Sequence, residues 1–79
     1  MPKLDVYVAE HCWSCHETRK IVDDLRVQFP NMAISLLDVD PQEWPEHVFA
    51  VPTYLLNGRI LSLGNPTREM LYDRLVAAH

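Results

Sequence analysis

The sequence predicts an α/β fold in the order β-α-β, a connection, then β-β-α, and three stretches carry that expectation. Leu4-Asp5-Val6-Tyr7-Val8-Ala9 alternates apolar and polar positions and is β-branched or aromatic at three of them, as a half-buried strand requires. Cys15 to Phe29 carries Ile21, Val22, Leu25 and Phe29 on one helical face, with Arg19, Lys20, Asp23, Asp24 and Arg26 on the other. Asn57-Gly58 separates two apolar runs, and this dipeptide suits the left-handed turn of a tight hairpin.

The remaining elements follow from local signals. Ser14 followed by Glu17 has the spacing of a capping box, so the first helix is expected to start near Cys15 with Ser14 as its cap. Pro30 and Asn31 end it. Met32 to Val39 reads as a second strand, which makes the first three elements a β-α-β unit with parallel strands. Asp40 to His47 contains Pro41 and Pro45 and allows a short helix beginning at Pro41 or an irregular connection. Val51-Pro52-Thr53 leads into the hairpin strands Tyr54 to Leu56 and Arg59 to Leu63, and Gly64 breaks the second strand. Asn65 with Pro66 after it suits the start of a last helix, whose buried face is expected to carry Leu71, Leu75 and Ala78, with Met70 beside them. Tyr7, Phe29, Phe49 and Tyr54 are expected in the core.

At 79 residues this is one domain spanning residues 1–79, with a small core, and it shows no repeat, linker or low-complexity segment. The net charge of −4, with no basic cluster, points away from nucleic acid or an anionic membrane as partner. No apolar run approaches a transmembrane length, and Met1-Pro2-Lys3-Leu4 lacks a signal-peptide pattern. Two cysteines three apart are no secreted disulfide framework, so a cytoplasmic location is expected, and the chain is expected to be a monomer.

Those two cysteines, Cys12-Trp13-Ser14-Cys15, sit at the junction of the first strand and the first helix. At that spacing the sulfurs are close enough to bridge, and the unpaired amides of a helix N-terminus favour thiolate over thiol. A thiolate that attacks a disulfide, with a second thiol beside it to resolve the mixed intermediate, is an exchange centre. Zinc is the first competing chemistry. It needs two further ligands, and His11 and His16 lie so near the cysteines in sequence that a tetrahedral shell is strained, leaving His47. Cys15-His16 also completes Cys-x-x-Cys-His, the attachment pattern for c-type haem, but flanking strands and the absence of an export signal argue against it. Met32 and Met70, the available axial ligands, fit core positions instead.

Ala9-Glu10-His11-Cys12-Trp13-Ser14-Cys15 after the first strand, Val51-Pro52-Thr53 before the hairpin and Gly64 after it together resemble the thioredoxin superfamily in its small, glutaredoxin-sized form. The resemblance covers nearly the whole chain. It implies a four-stranded mixed sheet with helices on both faces, a cis bond before Pro52, and a proline loop that faces the cysteine pair and pairs with extended substrate like one more strand. It further implies that Cys12 is the exposed nucleophile and Cys15 the buried resolving thiol, which agrees with Cys12 lying ahead of the helix and Cys15 in its first turn. The expected activity is thiol–disulfide exchange without a bound cofactor or metal. Its partners are a disulfide-containing protein or small-molecule substrate and a reductant, either glutathione or a thioredoxin reductase-like enzyme. Trp13, Val51, Pro52 and Thr53 are expected to shape the substrate groove. His11, Ser14 and His16 are candidates for tuning the thiols, and Trp13 suits partner docking. The dipeptide Trp13-Ser14, Val6 in place of a buried carboxylate, His11 in place of tryptophan, and no lysine or arginine near the cysteines in the way glutaredoxins use to hold glutathione depart from the patterns of the superfamily. A different class of reading is a binding module on the same fold that carries a metal or persulfide without turnover.

Overall fold

A computed structural model describes residues 2–10, 12–39 and 50–78. Its elements are β1 (Lys3–Val8), α1 (Cys15–Gln28), β2 (Ala33–Asp38), β3 (Thr53–Leu56), β4 (Arg59–Leu63) and α2 (Arg68–Ala78). The four strands form one mixed sheet in the order β2-β1-β3-β4. β1 runs parallel to β2 and antiparallel to β3, and β3 and β4 are antiparallel. This is the thioredoxin-like α/β architecture that the sequence predicts.

The pleat of β1 decides where the core lies. Leu4, Val6 and Val8 point to one face and are buried, while Asp5 and Tyr7 point to the other. Register carries that face across the sheet: Val6 is flanked by Leu36 on β2 and Tyr54 on β3, and Leu4 by Ile34 and Leu56. Ile21, Val22 and Leu25 of α1 and Leu71 and Leu75 of α2 pack on this same face and form one core with it. Burying each such side chain contributes roughly 1.5–3 kcal/mol. The helices also meet each other. Phe29 and Tyr72 stack edge to face with centroids 5.7 Å apart, and Arg68 bridges to Asp24 at 2.6 Å and to Glu17 at 3.8 Å. Both described helices thus cover one face of the sheet. The short helix considered at Pro41, together with Trp44, His47 and Phe49, lies outside the described residues.

The hairpin turns as Asn57-Gly58 requires. Both residues have left-handed backbone, with φ of 52° and 82°, the geometry of a type I′ turn. Asn57 ties the turn to β1 as well: its N–H donates to the Lys3 carbonyl at 2.8 Å, and its side-chain oxygen accepts from the Lys3 N–H at 2.9 Å.

Four local expectations need correction. The Ser14–Glu17 capping box does not form. Ser14 already has helical backbone angles (φ −68°, ψ −21°) and makes no side-chain cap bond, whereas a capping serine needs extended backbone. The cause is the tight turn before it, closed by the Cys15 N–H on the Cys12 carbonyl at 3.2 Å. Asn65 does not cap the last helix either, because its amide is engaged across the molecule with α1 and β3. Thr67 takes that role, its hydroxyl accepting from the Met70 N–H at 3.1 Å, so α2 starts at Arg68, beyond Pro66. Met70 consequently lies on the exposed side of α2, and Ala78 is only half-buried. Tyr7 and Phe29 are half-buried at the margins of the core, whereas Tyr54 is fully enclosed.

Candidate functional site

The site forms where β1 ends and α1 begins. β1 stops at Val8, Ala9 and Glu10 lead out of the sheet, and Cys12 sits ahead of the helix whose first residue is Cys15. Cys12 and Cys15 are joined in a disulfide, with Cα atoms 5.2 Å apart. Their surroundings differ. Cys15 is 2% exposed and belongs to the core cluster with Val6, whereas Cys12 is half-buried and packs only against the margin of that cluster. Of the two cysteines, Cys12 is thus the more open to solvent. Val6 is fully buried in the same core, which places an apolar side chain, and no carboxylate, at that position.

The second wall comes from the far end of the sequence. The Val51–Pro52 peptide bond is cis, and the Val51 carbonyl oxygen lies 3.8 Å from the Cys12 sulfur. The loop is held from below. Thr53, itself buried, donates its hydroxyl to the Ala50 carbonyl, and the Gly64 N–H donates to the Pro52 carbonyl at 2.8 Å. Pro52 and Thr53 are thus buried supports, and Val51 is the residue of the loop that meets the cysteine pair. Among the described residues no backbone hydrogen bond uses the N–H or carbonyl of Val51.

A cleft of about 370 Å³ opens on the other side of the sulfurs, lined by Ala9, Glu10, Cys12, Cys15, His16 and Arg19. His16 is exposed at its rim, and Trp13 projects from the turn with 90% of its surface open to solvent. His11 lies outside the described residues. Arg19 is a cation lining the same cleft as the cysteines. It follows Cys15 by four residues, so the helix brings it onto the same face, and it pairs with Asp38 at the end of β2 at 2.9 Å. The i, i+4 spacing was the available signal. Arg68, by contrast, is tied to α1 through Asp24 and Glu17.

A polar network beneath the turn has no local sequence signal. The Asn65 side-chain amide donates to the Ser14 carbonyl at 2.9 Å, and its oxygen accepts from the Tyr54 hydroxyl at 2.9 Å. The Thr18 hydroxyl lies within reach of that oxygen at 2.6 Å and of the Ser14 carbonyl at 3.1 Å, and its single proton serves one at a time. Thr18 and Tyr54 are fully buried. Burial pushes the Tyr54 phenol up to about 12, against the opposing pull of the neighbouring Thr18 hydroxyl.

Among the described residues no group of three or more His, Cys, Asp or Glu side chains is placed to hold a metal ion, and no helix is long and apolar enough to cross a membrane. No protein-family model matches the chain. The chain is similar to a thioredoxin of Methanocaldococcus jannaschii, at 26% identity over 77 residues that cover 92% of this chain and 91% of that protein.

Proposed function

From the premise that the chain is a thioredoxin homologue with a thioredoxin-like fold and a redox-type cysteine pair, we propose that it is a disulfide reductase in which Cys12 attacks and Cys15 resolves. The unequal burial of the two cysteines carries this reading, since Cys12 is the less enclosed of the pair. In the dithiol form the Cys12 thiolate attacks one sulfur of a substrate disulfide. A mixed disulfide forms, and the other substrate sulfur leaves as a thiolate. Cys15, having given up its proton, then attacks the Cys12 sulfur, and the second substrate thiolate departs as the Cys12–Cys15 bond closes. Two electrons pass to the substrate. A thiol reductant, glutathione or a thioredoxin reductase-like enzyme, restores the dithiol by the reverse exchange, in a reducing compartment such as the cytoplasm. No bound cofactor is needed for this cycle. The start of α1 is expected to favour the Cys12 thiolate through its amide dipoles, and His16, which lines the same cleft, is a candidate for adding to that effect.

Substrate is expected to lie extended across Val51, whose backbone groups offer a strand-like pairing, with Trp13 covering an apolar side chain of the partner. Pro52 and Thr53 hold that edge in place.

The test is Cys15→Ser. An exchange enzyme lacking its resolving thiol accumulates a mixed disulfide at Cys12, visible by mass and cleared by reductant. A module that only carries a metal or persulfide does not. A redox titration of the wild type in graded dithiol/disulfide buffers should show one two-electron transition between about −120 and −270 mV. Thiols that never appear at any potential would remove the reading.

A further inference from the structure

We infer that Asn65 is a positioning residue for the cysteine pair, holding the Ser14–Cys15 peptide in the arrangement that disulfide closure requires. The inference rests on the exchange reading above and adds to it a residue far from the cysteines in sequence. Ser14 lies inside the ring that the Cys12–Cys15 bond closes, and its carbonyl is a point at which the rest of the protein takes hold of that ring. Asn65, in the segment between β4 and α2, donates to this carbonyl at 2.9 Å. The other end of the same amide accepts from the Tyr54 hydroxyl at 2.9 Å, and Tyr54 lies two residues beyond Pro52 on β3. One side chain thus joins the start of α1, which carries the resolving sulfur, to the strand that follows the proline loop.

The arrangement has a consequence for the redox equilibrium. Ring closure brings two thiols together at the cost of the freedom of the residues between them, and a turn already fixed has less freedom to lose. Asn65 restrains the turn from outside, so that Cys15 stays poised against Cys12 in the dithiol form. Without it the disulfide is less favoured and the resolving attack is slower. A purely structural role predicts lower stability with neither effect.

The experiment compares wild type with Asn65→Ala and with the double variant Tyr54→Phe/Asn65→Leu. In Asn65→Ala the buried Tyr54 hydroxyl loses its acceptor, so loss of stability accompanies any redox change. The double variant removes donor and acceptor together and leaves Thr18 its bond to Ser14, which keeps the fold while the tie is absent. Equilibration in graded dithiothreitol buffers should show the Cys12–Cys15 disulfide disfavoured by about fivefold in both variants, the size expected from one neutral hydrogen bond. For a two-electron couple this is about 20 mV toward a more oxidising potential. Mixed disulfides formed with oxidised glutathione should also close more slowly in both. If the double variant keeps the wild-type equilibrium constant and closure rate, Asn65 is only structural and the inference is overturned. If the wild type shows no two-electron transition, the exchange reading falls and takes this inference with it.

Discussion

The two helices begin in opposite ways. α2 starts with a side-chain cap, the Thr67 hydroxyl on the Met70 N–H, and nothing in its first turn faces the cysteine pair. α1 starts on Ser14 with no side-chain cap, its turn tied down instead through the Ser14 carbonyl by Thr18 and Asn65. A capping hydroxyl satisfies helix amides and draws on the positive end of the dipole. At α2 that is useful stability. On the exchange reading proposed above, the same arrangement at α1 would compete with the sulfur of Cys12 for the amides that favour its thiolate. The turn is therefore held by its carbonyl side, which leaves the amide side to the chemistry. On that reading the difference separates a helix end built for stability from one built for reaction.

The sharpest way to separate the two ends is to remove chemistry at one and keep it at the other. Cys12→Ser should abolish disulfide reduction, measured with a model protein disulfide, while the melting curve of the reduced protein stays close to that of wild type. The next largest effect lies in the shared core. Leu25→Ala under α1 or Leu71→Ala under α2 should each cost about 2–5 kcal/mol in denaturant unfolding, because both side chains are fully enclosed. Neither change should move the potential of the cysteine pair by more than a few millivolts in protein that remains folded, since neither side chain lies on the turn.

The phenol beneath the α1 start gives a pH test. Its folded-state value of about 12 stands above the ordinary 10, so the fold favours the protonated form. The folded chain then binds more protons than the unfolded one between those values. This contribution to stability is whole below pH 10 and is lost as pH rises toward 12. Absorbance titration should show a late tyrosinate step, and Tyr54→Phe should remove it. A smaller pair of changes addresses the caps directly. Thr67→Ala should destabilise by about 1 kcal/mol, as loss of a working cap does. Ser14→Ala should stay within about 0.5 kcal/mol, because no side-chain cap is lost. Equal losses at the two positions would erase the contrast. Arg68→Ala should likewise cost at most about 1 kcal/mol, since its pairs with Asp24 and Glu17 are exposed to solvent.

The sequence by itself determined whatever rests on short-range pattern. The alternation in β1, the helical period of Ile21, Val22 and Leu25, the Asn57-Gly58 turn and the Cys12–Cys15 spacing each express local backbone geometry, and each element forms where its residues place it. The cis bond at Pro52 was legible only through the resemblance to a family, since no local signal distinguishes it from any other X-Pro bond. Tertiary structure alone decided the rest. Ser14 and Asn65 both read as helix caps because their residue type suits a cap, yet long-range hydrogen bonds claimed the amide of one and the turn geometry of the cysteines bent the backbone of the other. Arg19 became a neighbour of the cleft through one turn of helix, and Thr53 turned inward to support the loop. Such outcomes depend on which distant partner reaches a polar group first. Sequence distance carries no record of that competition, and only the packed chain resolves it.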